Sequence, residues 1–499
     1  MRKSRVKGGL GQLELQIVFP GETQWQANDR TGETEDNGLG TSGTSCANGS
    51  ESEAVAAKPQ SRPHRPAEGQ KRKWYSLMDK VYASKNMEQA WKKVQSNKGA
   101  SGVDGMTIGK FAKGADEGLR VLQEDLQQKT YRPQPVRRVY IEGGGKKRPI
   151  GIPTVRGRIV EQSLQQVLGP IFEAKFSKHS HGFRPEKGCA TALKVVDRAV
   201  KYGYQWVVVV DIRSFFDTVD HEILMAAVNE EVSDGSALRL IRRILTAGVI
   251  EPGVKEIEPM ELETPAKMGT PQGGPLSPLL ANIYLHTFDE KVVAAGYGLV
   301  RYADDLVIFT RSKSEAEAAL LLVREILEGE LRLKLHPEKT RVVSVDEGFE
   351  FLGYHYYRDP KNGQMPKDVR QKSVQRFREA VRERTSRITG QRKPKARHMT
   401  AKRLAKNARL KETIRTLNLY LRGWHWYFKA VWSPQKEPFR EFDSFVRRRV
   451  RAALVGRVGS GWWNARITNA MLRSLGLIPL EYWQERYLQG QLDAPVRKG

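Results

Sequence analysis

The stretch VRYADDLVIF, residues 300 to 309, places two adjacent carboxylates between two apolar segments that are typical of buried strands. Asp304 and Asp305 lie where a tight turn would join the two strands as a hairpin. A buried strand seldom contains unpaired charge, because removing water from a carboxylate is costly unless a cation or hydrogen-bond donors replace it. The dipeptide alone is also compatible with an ordinary polar turn.

A third carboxylate ends another predicted strand, since the apolar run WVVVVD stops at Asp211. If this strand pairs with LVIF in one sheet, Asp211, Asp304 and Asp305 converge on one site. Three close anions would raise one another's pKa values unless a divalent cation neutralised them. The alternative is that Asp211 caps the next helix, a role that the aspartates of the following DTVDH suit better.

Carboxylate ligands indicate a particular kind of metal site. All-oxygen ligation suits Mg²⁺, with Mn²⁺ as the alternative ion. Two such ions about 3.5 to 4 Å apart would activate a 3′-hydroxyl and stabilise a leaving pyrophosphate. The sequence therefore predicts two Mg²⁺ ions as cofactors and nucleotidyl transfer as the reaction.

The composition favours a polyanionic partner. The chain has 499 residues, with 84 Lys and Arg against 57 Asp and Glu, a net charge of +27. A positive charge of this size favours nucleic acid as the partner, and a membrane surface is the weaker alternative. No run of about 18 apolar residues predicts a bilayer span. Two cysteines, Cys46 and Cys189, are too few for a disulfide framework, so we expect a reducing compartment and a cytoplasmic, bacterial protein.

The chain divides by composition. Residues 1–70 are rich in Gly, Ser, Thr, Asn and Glu, and they carry 8 basic against 9 acidic residues; we expect them to be disordered. Helices and strands should alternate from Trp74 to about residue 360, with VRRVYIEG and KRPIGIPT forming a hairpin, SEAEAALLLVREILEGELRL a helix and FEFLGYHYY a strand. Residues 366–460 hold 27 basic against 7 acidic residues, which predicts a basic helical module without strands.

The motifs together resemble a known family. RYADD, DIRSFFD and GTPQGGPLSPLLANIYL resemble the polymerase core of a reverse transcriptase in their order and spacing. HGFRPEKG, KRPIGIPT, LHPEKT and FEFLGY narrow the resemblance to the group II intron-encoded reverse transcriptases, also called maturases. The resemblance covers roughly residues 74 to 488.

This resemblance implies an α+β fold of the right-hand polymerase type. The fingers and palm would contain an antiparallel sheet, and a helical thumb and maturase domain (domain X) that binds RNA would follow. The expected divisions are a disordered tail at 1–70, fingers and palm at 71–360, thumb and maturase domain at 361–460, and a C-terminal extension at 461–499.

The implied function is RNA-directed DNA synthesis, together with binding of a group II intron RNA to assist its splicing and mobility. The implied partners are intron RNA, a DNA target or primer, and deoxynucleoside triphosphates, and the oligomeric state, monomer or homodimer, stays open. Two alternatives remain: a maturase that acts only in splicing, and a reverse transcriptase recruited to host defence or repair. The paired Cys and His of an HNH nuclease are not found after residue 480, so we expect no second-strand nicking and a primer from elsewhere, such as a nascent DNA end.

By the same resemblance, Asp211 and Asp304 would be direct metal ligands, with Asp305 in a supporting role. The backbone carbonyl of Ile212 would be a further ligand. Lys339, in HPEKT, would reach the pyrophosphate as a charge or a proton donor. An exposed lysine is otherwise ordinary solvated surface.

Other positions would hold substrates. Phe216 matches an aromatic ring beneath the incoming sugar, where it would exclude a 2′-hydroxyl; either it or its neighbour Phe215 should pack in the core. Gln272, in PQGGP, would hydrogen-bond nucleotide or template. FEFLGY resembles the strand that holds the primer end, with a buried core strand as the alternative. The triphosphate would be gripped by one or more of three arginines, Arg148, Arg156 and Arg158.

RNA binding would involve the basic helical module, where LNLYLRGWHWYFKAVW interleaves aromatic and basic residues. Arg422 and Trp426 are the candidates for clamping RNA there. Trp424 and Phe428, four residues apart, should be partly buried instead. Three further arginines should face phosphate or solvent: Arg447, Arg448 and Arg449.

Overall fold

The fold is taken from a computed structural model. The structure describes residues 73–143, 146–252, 268–270, 273–359, 366–386, 407–429, 437–455 and 467–490. The tail that we expect to be disordered, residues 1–70, lies outside these ranges. Within them, no helix combines the length and the apolar character that crossing a bilayer requires.

Helices and strands alternate in the first part of the chain, and helices dominate the last part. The helices are α1 Met78–Tyr82, α2 Ser84–Ser96, α3 Ile108–Ala112, α4 Ala115–Gln127, α5 Val155–Glu173, α6 Cys189–Lys201, α7 Phe215–Thr218, α8 His221–Glu231, α9 Gly235–Leu245, α10 Ser277–Ala294, α11 Lys313–Arg324, α12 Gln371–Ser386, α13 Ala408–Phe428, α14 Glu437–Val455, α15 Asn469–Ser474 and α16 Leu480–Leu488. The strands are β1 Val136–Gly143, β2 Lys146–Ile152, β3 Trp206–Asp211, β4 Val249–Ile250, β5 Gly298–Tyr302, β6 Asp305–Thr310, β7 Arg341–Ser344, β8 Phe349–Phe351, β9 Tyr354–Tyr356 and β10 Lys367–Val369.

A four-stranded antiparallel sheet in the order β5-β6-β3-β7 forms the centre of the fold. Both faces of this sheet are covered, which explains the uninterrupted valines of β3. Val208 and Val210 pack into one core with α5, α10 and α11, whereas Val207 points into a second core with α6 and the C-terminal helices. The predicted pairing of the two aspartate-bearing strands is therefore present, with β3 next to β6.

Two smaller sheets flank the central one. β1 and β2 form the predicted antiparallel hairpin, whose turn at residues 144–145 lies outside the described ranges. FEFLGYHYY, which we predicted as a single strand, is instead the hairpin β8–β9. Leu352 and Gly353 both have positive φ, +48° and +85°, in the two-residue turn between them. This mirror-image turn matches the twist of paired strands, so the chain reverses where a continuous strand was expected.

The prediction that strands stop at residue 366 was wrong by a few residues, because β10 adds to the edge of β9. Beyond Val369 the described residues contain helices and no strand. Helices α12, α13, α14 and α16 pack around Phe377 and Leu417, which are fully buried. Trp424 and Phe428 lie in this core with exposed fractions of 8% and 6%, which confirms that they are packing residues.

Candidate active site

Asp211 is the last residue of β3, and the chain that follows β3 is held in place by the loop before β7. The amide of His336 donates to the Asp211 carbonyl at 2.8 Å, and the Thr340 hydroxyl lies 3.3 Å from the Asp211 amide nitrogen. Ile212 pairs with Leu335 in an isolated antiparallel bridge. The two hydrogen bonds of this bridge are made by the Asp211 carbonyl and the Arg213 amide, so neither of them uses the Ile212 carbonyl.

Asp304 lies in the turn that joins β5 to β6. Tyr302 pairs with Asp305, so Ala303 and Asp304 form a two-residue hairpin turn. Ala303 has φ of +57°, a left-handed conformation that costs a non-glycine residue energy unless its surroundings impose it. Asp304 therefore lies in a tight turn, as predicted, whereas Asp305, which was predicted in the same turn, is the first residue of β6.

The three carboxylates are neighbours at one end of the central sheet. Asp211 and Asp305 are direct partners in the antiparallel pairing of β3 with β6, and Asp304 adjoins Asp305. The surrounding protein, and then the negative charges of Asp304 and Asp211, raise the pKa of Asp305 to about 6. This carboxylate still faces the solvent of the cleft, since Asp305 is an exposed residue. The site thus concentrates negative charge where a small cation can reach it.

Lys339 is the cation that this end of the sheet already holds. Its ammonium group lies 2.8 Å from Oδ2 of Asp211. Lys339 and Arg370 both lower the pKa of Asp305, against the larger effects that raise it. The oxygen donors suit Mg²⁺ or Mn²⁺. Within the described residues, however, no three Asp, Glu, His or Cys side chains are arranged as a finished metal site. With Lys339 on Asp211, a metal ion would have to take over that carboxylate oxygen.

The carboxylates open into a cleft between the central sheet and the C-terminal helices. The β8–β9 turn lines one side through Leu352 and Gly353, and α13 contributes Tyr427. The Tyr427 hydroxyl donates to the Leu352 carbonyl at 2.7 Å. FEFLGY is therefore part of a packed hairpin that also forms part of the cleft wall, and its contact with a primer end stays a prediction.

The two phenylalanines of DIRSFFD have different environments. Phe215 is 2% exposed and packs against Tyr284 in the core. Phe216 is only partly buried and meets Phe215 edge to face at 5.3 Å. The Thr270 amide donates to the Phe216 carbonyl at 2.7 Å, which brings the chain leading to PQGGP next to Phe216. Phe215 is thus the core residue, whereas Phe216 is partly buried and packs at the edge of the same core. Asp220 caps α8, as DTVDH predicted.

The PQGGP motif is only partly visible, because Gln272 lies outside the described residues. Gly273 has φ of +134°, and a Cβ there would lie 2.5 Å from the Gly151 carbonyl oxygen of β2. A Cβ on Gly274 would lie 2.2 Å from a carboxylate oxygen of Glu161. Glycine is therefore required at 273 for this segment to pack against the hairpin, whereas a side chain at 274 would displace the Glu161 carboxylate. Burial raises the pKa of Glu161 to about 7.

The three arginines proposed for the triphosphate lie in different surroundings. Arg148 is in β2, and its side chain is outside the described part of the structure. Arg156 is half-exposed and donates to Asp125 at 2.6 Å. Arg158 is 8% exposed and donates to the Ala100 carbonyl at 2.7 Å. Of the two described side chains, only Arg156 is accessible to a ligand.

The candidate RNA-binding residues also separate by exposure. Arg422 lies over the ring of Trp483 at 5.5 Å, and the Lys429 ammonium lies between Trp426 and Tyr487. Arg422 therefore faces α16 of the predicted C-terminal extension, whereas Trp426 is connected to that helix through Lys429. On α14, Arg448 is exposed, whereas Arg447 and Arg449 are partly buried.

Sequence reasoning missed several residues of this site. Arg370 precedes α12, far along the chain from the catalytic motifs, and reaches the cleft only because β10 joins β9. Phe183 lines the cleft with φ of +58° and is 54% exposed. Its place in HGFRPEKG was the available signal. Asp289 and Asn282 accept hydrogen bonds from the buried Arg301. In the sequence they look like ordinary polar positions of a helix, so these contacts could not be predicted.

Comparison with known proteins agrees with this geometry. Residues 141–356 match the reverse transcriptase (RNA-dependent DNA polymerase) family, and residues 393–467 match the group II intron maturase-specific domain. Protein YkfC of Escherichia coli strain K12 is 35% identical over 305 residues, which is 53% of this chain and 78% of YkfC. The group II intron-encoded protein LtrA of Lactococcus lactis subsp. cremoris is 39% identical over 208 residues, 41% of this chain and 33% of LtrA.

Similarity to solved structures is lower. A chain of a partial Cas6-RT-Cas1–Cas2 complex aligns with 23% identity and a TM-score of 0.33, over 51% of this chain and 43% of that one. The two sequence matches cover Asp211, Asp304 and Asp305 and most of the basic helical module. The chain belongs to the group II intron-encoded reverse transcriptases, in which a reverse transcriptase region precedes a maturase-specific domain.

Proposed function

We propose that this chain copies RNA into DNA by extending a primer 3′-hydroxyl, with Asp211, Asp304 and Asp305 as its catalytic carboxylates. The observation that carries the proposal is the pairing of Asp211 with Asp305 across β3 and β6, beside the turn that holds Asp304. Residues more than 90 positions apart thus form one anionic site that opens into a cleft. Negative charge concentrated in this way suits a divalent cation and a triphosphate substrate.

Mg²⁺, as two ions with Mn²⁺ as a substitute, would be held by Asp211, Asp304 and the Ile212 carbonyl. When bound, it would activate the primer hydroxyl and neutralise the developing charge on pyrophosphate. Asp305 adds negative charge behind these ligands. Lys339 would then leave Asp211, where its ammonium now lies at 2.8 Å, and donate to the pyrophosphate. Its side chain is 54% exposed, which leaves it room to move.

The incoming nucleotide would lie against Phe216, whose partly buried ring can exclude a 2′-hydroxyl. Gln272, two residues after Thr270 in the chain, would hydrogen-bond nucleotide or template. Arg156 and Arg148 would hold the triphosphate from the β2–α5 side. We assign Arg158 to the loop at Ala100 instead, because it is buried there.

A second role, in binding and splicing of intron RNA, is supported by a separate observation. The maturase-specific match, residues 393–467, overlaps most of the segment 366–460, which holds 27 basic against 7 acidic residues. Arg448 is exposed on α14 of that segment, with Arg447 and Arg449 partly exposed next to it. We propose that this face binds phosphates of the intron RNA. We further propose that the polymerase spans 71–360 and that the thumb helices begin with α12, with 461–499 as the extension.

Both proposals can be tested with the purified chain. An RNA template annealed to a DNA primer should give full-length complementary DNA with deoxynucleotides and Mg²⁺. The absence of product with either Mg²⁺ or Mn²⁺ would contradict the polymerase assignment. A group II intron RNA should bind more tightly than an unrelated folded RNA of equal length, and equal affinities would contradict the maturase role.

A further inference from the structure

A fully buried ion pair lies beneath the catalytic turn. Arg301, three residues before Asp304, has no exposed side-chain surface, and neither does its partner Asp289 on α10. The guanidinium donates two parallel hydrogen bonds to the Asp289 carboxylate, at 2.6 and 2.5 Å. A buried ion pair gains little stability over apolar residues of similar size, because both charges are desolvated. The pair therefore calls for an explanation beyond stability.

The remaining contacts of Arg301 lead to the turn. Nη1 donates to the Ala303 carbonyl at 3.1 Å and to Oδ1 of Asn282 at 3.0 Å. The Asn282 side-chain amide donates in turn to the Gly182 carbonyl at 2.9 Å. The network thus connects α10 to the first residue of the turn and to the neighbouring HGFRPEKG segment.

That segment encloses the turn from the other side. The Arg301 amide donates to the His179 carbonyl at 3.0 Å, and the His181 amide donates to the Arg301 carbonyl at 2.8 Å. A Cβ on Gly182 would lie 2.4 Å from the Ala303 nitrogen, so only glycine allows this approach. Ala303 is held at a φ of +57° by contacts on both sides. A strained residue persists only where its surroundings determine it in this way.

We propose that Asp289, Arg301 and Asn282 are positioning residues, which hold the Ala303–Asp304 turn so that the Asp304 carboxylate points at the cation site. This inference rests on the proposed polymerase function, and it adds residues that touch neither substrate nor metal. Partners of this kind orient a ligand without contacting the metal, and their loss typically costs about 10- to 100-fold in metal affinity or activity.

Two variants and a control test the proposal. Asn282→Ala removes the bonds to Gly182 and Arg301 while leaving the ion pair intact. Arg301→Lys keeps the charge but loses the planar donor set that reaches Ala303. Tyr284→Phe, on the same helix, removes a buried hydroxyl that donates to the Leu331 carbonyl at 2.6 Å and accepts from the Asp220 amide at 3.3 Å. Like Asn282→Ala, this control variant loses buried hydrogen bonding, but it leaves the hydrogen bonds of Arg301, Asp289 and Asn282 in place.

Three measurements are made on each full-length variant: Tm, single-nucleotide extension kinetics, and Mn²⁺ binding without nucleotide, followed by electron paramagnetic resonance. Asn282→Ala and Arg301→Lys should lower kcat by about 10- to 100-fold and raise the Kd for Mn²⁺ by about tenfold. KM for deoxynucleotide should change by less than about threefold, because the nucleotide contacts remain. Tyr284→Phe should lower Tm yet leave kcat and the Kd for Mn²⁺ within about twofold of wild type.

The outcomes separate the two proposals. If Asn282→Ala keeps wild-type kcat and wild-type Mn²⁺ affinity, the positioning role is overturned. It is also overturned if Tyr284→Phe, at the same Tm as Asn282→Ala, loses as much kcat and Mn²⁺ affinity as that variant does. If Arg301→Lys fails to fold, Asn282→Ala alone decides. If the wild-type chain fails to extend a primer but Asn282→Ala still weakens Mn²⁺ binding, the polymerase assignment fails and the positioning role stands.

Discussion

Asp211 and Asp305 face each other as direct partners across β3 and β6, although 93 residues separate them in the chain. The turn that contains Asp304 immediately precedes Asp305 in the chain. The facing of Asp211 and Asp305 is set by the pairing of β3 with β6, whose strands are covered on both faces by apolar cores. The carboxylates are thus fixed by the most buried part of the fold, while Lys339 and Arg370 come from its periphery.

Lys339→Met should have opposite effects on metal binding and on turnover. Its ammonium occupies an Asp211 oxygen at 2.8 Å, so removing it should tighten Mn²⁺ binding by about two- to fivefold, the range for an exposed ion pair. Extension should slow by about 100-fold if Lys339 serves as acid toward pyrophosphate. Lys313→Met, which removes an exposed lysine near Glu317, is the control. Weaker Mn²⁺ binding with unchanged turnover would contradict both roles of Lys339.

Phe216→Ala should reduce discrimination against ribonucleotides by roughly 10- to 100-fold, because the pocket then tolerates a 2′-hydroxyl. Little stability should be lost, since Phe216 is only partly buried. Phe215→Ala is the matched comparison. Its ring is 2% exposed, so its loss should cost about 3 to 5 kcal/mol of stability without changing the ratio of kcat/KM for the two sugars. If Phe215→Ala changed the discrimination between the two sugars and Phe216→Ala caused the large loss of stability, the roles assigned to the two phenylalanines would be exchanged.

Glu161 gives a prediction about pH. Burial raises its pKa to about 7, above the ordinary value of 4.5, against the Leu276 amide and Arg158, which lower it. A carboxyl group with a raised folded pKa stabilises the protein below its unfolded pKa, and this contribution is lost as pH rises through about 7. Glu161→Gln should therefore match wild-type Tm near pH 4 and exceed it by pH 8. A difference in Tm that stays constant with pH would show that Glu161 does not titrate in this range.

Arg448→Ala should reduce the salt dependence of intron RNA binding. Each phosphate contact contributes roughly 0.7 to 0.9 to the slope of log K against log salt concentration. The slope should fall by that amount because Arg448 is exposed on α14. Arg120→Ala removes an equal charge from α4, where Arg120 pairs with Glu117 and Glu124. The Arg120 variant should keep the wild-type slope, and an unchanged slope in Arg448→Ala would remove that side chain from the interface.

The strands and the carboxylate site were predictable from sequence because local pattern and packing agree there. WVVVVD and LVIF are apolar on both faces, and the structure buries both faces. The β8–β9 hairpin was missed because Leu352 takes a positive φ, an unusual conformation for leucine that the sequence does not signal.

Long-range polar contacts could not be predicted. The bonds from Arg301 to Asp289 and Asn282 join positions 12 and 19 residues apart, and their geometry depends on how α10 packs beneath β5. Arg422 and Trp426 were predicted to clamp RNA from an interleaved pattern of basic and aromatic residues. That pattern does not distinguish a ligand surface from contacts with another helix: Arg422 lies over Trp483, and Lys429 lies against both Trp426 and Tyr487. Binding of RNA by Arg422 and Trp426 stays a prediction.

The single-turnover rate of nucleotide addition by Asp304→Asn, measured beside its affinity for intron RNA, tests the catalytic assignment most directly. Loss of a metal-binding carboxylate should slow extension by about 10³-fold or more, equivalent to roughly 4 kcal/mol of barrier. RNA affinity should stay within about twofold of wild type, because Asp304 lies in the β5–β6 turn and the basic face is on α14. Extension by Asp304→Asn at the wild-type rate would contradict the assignment.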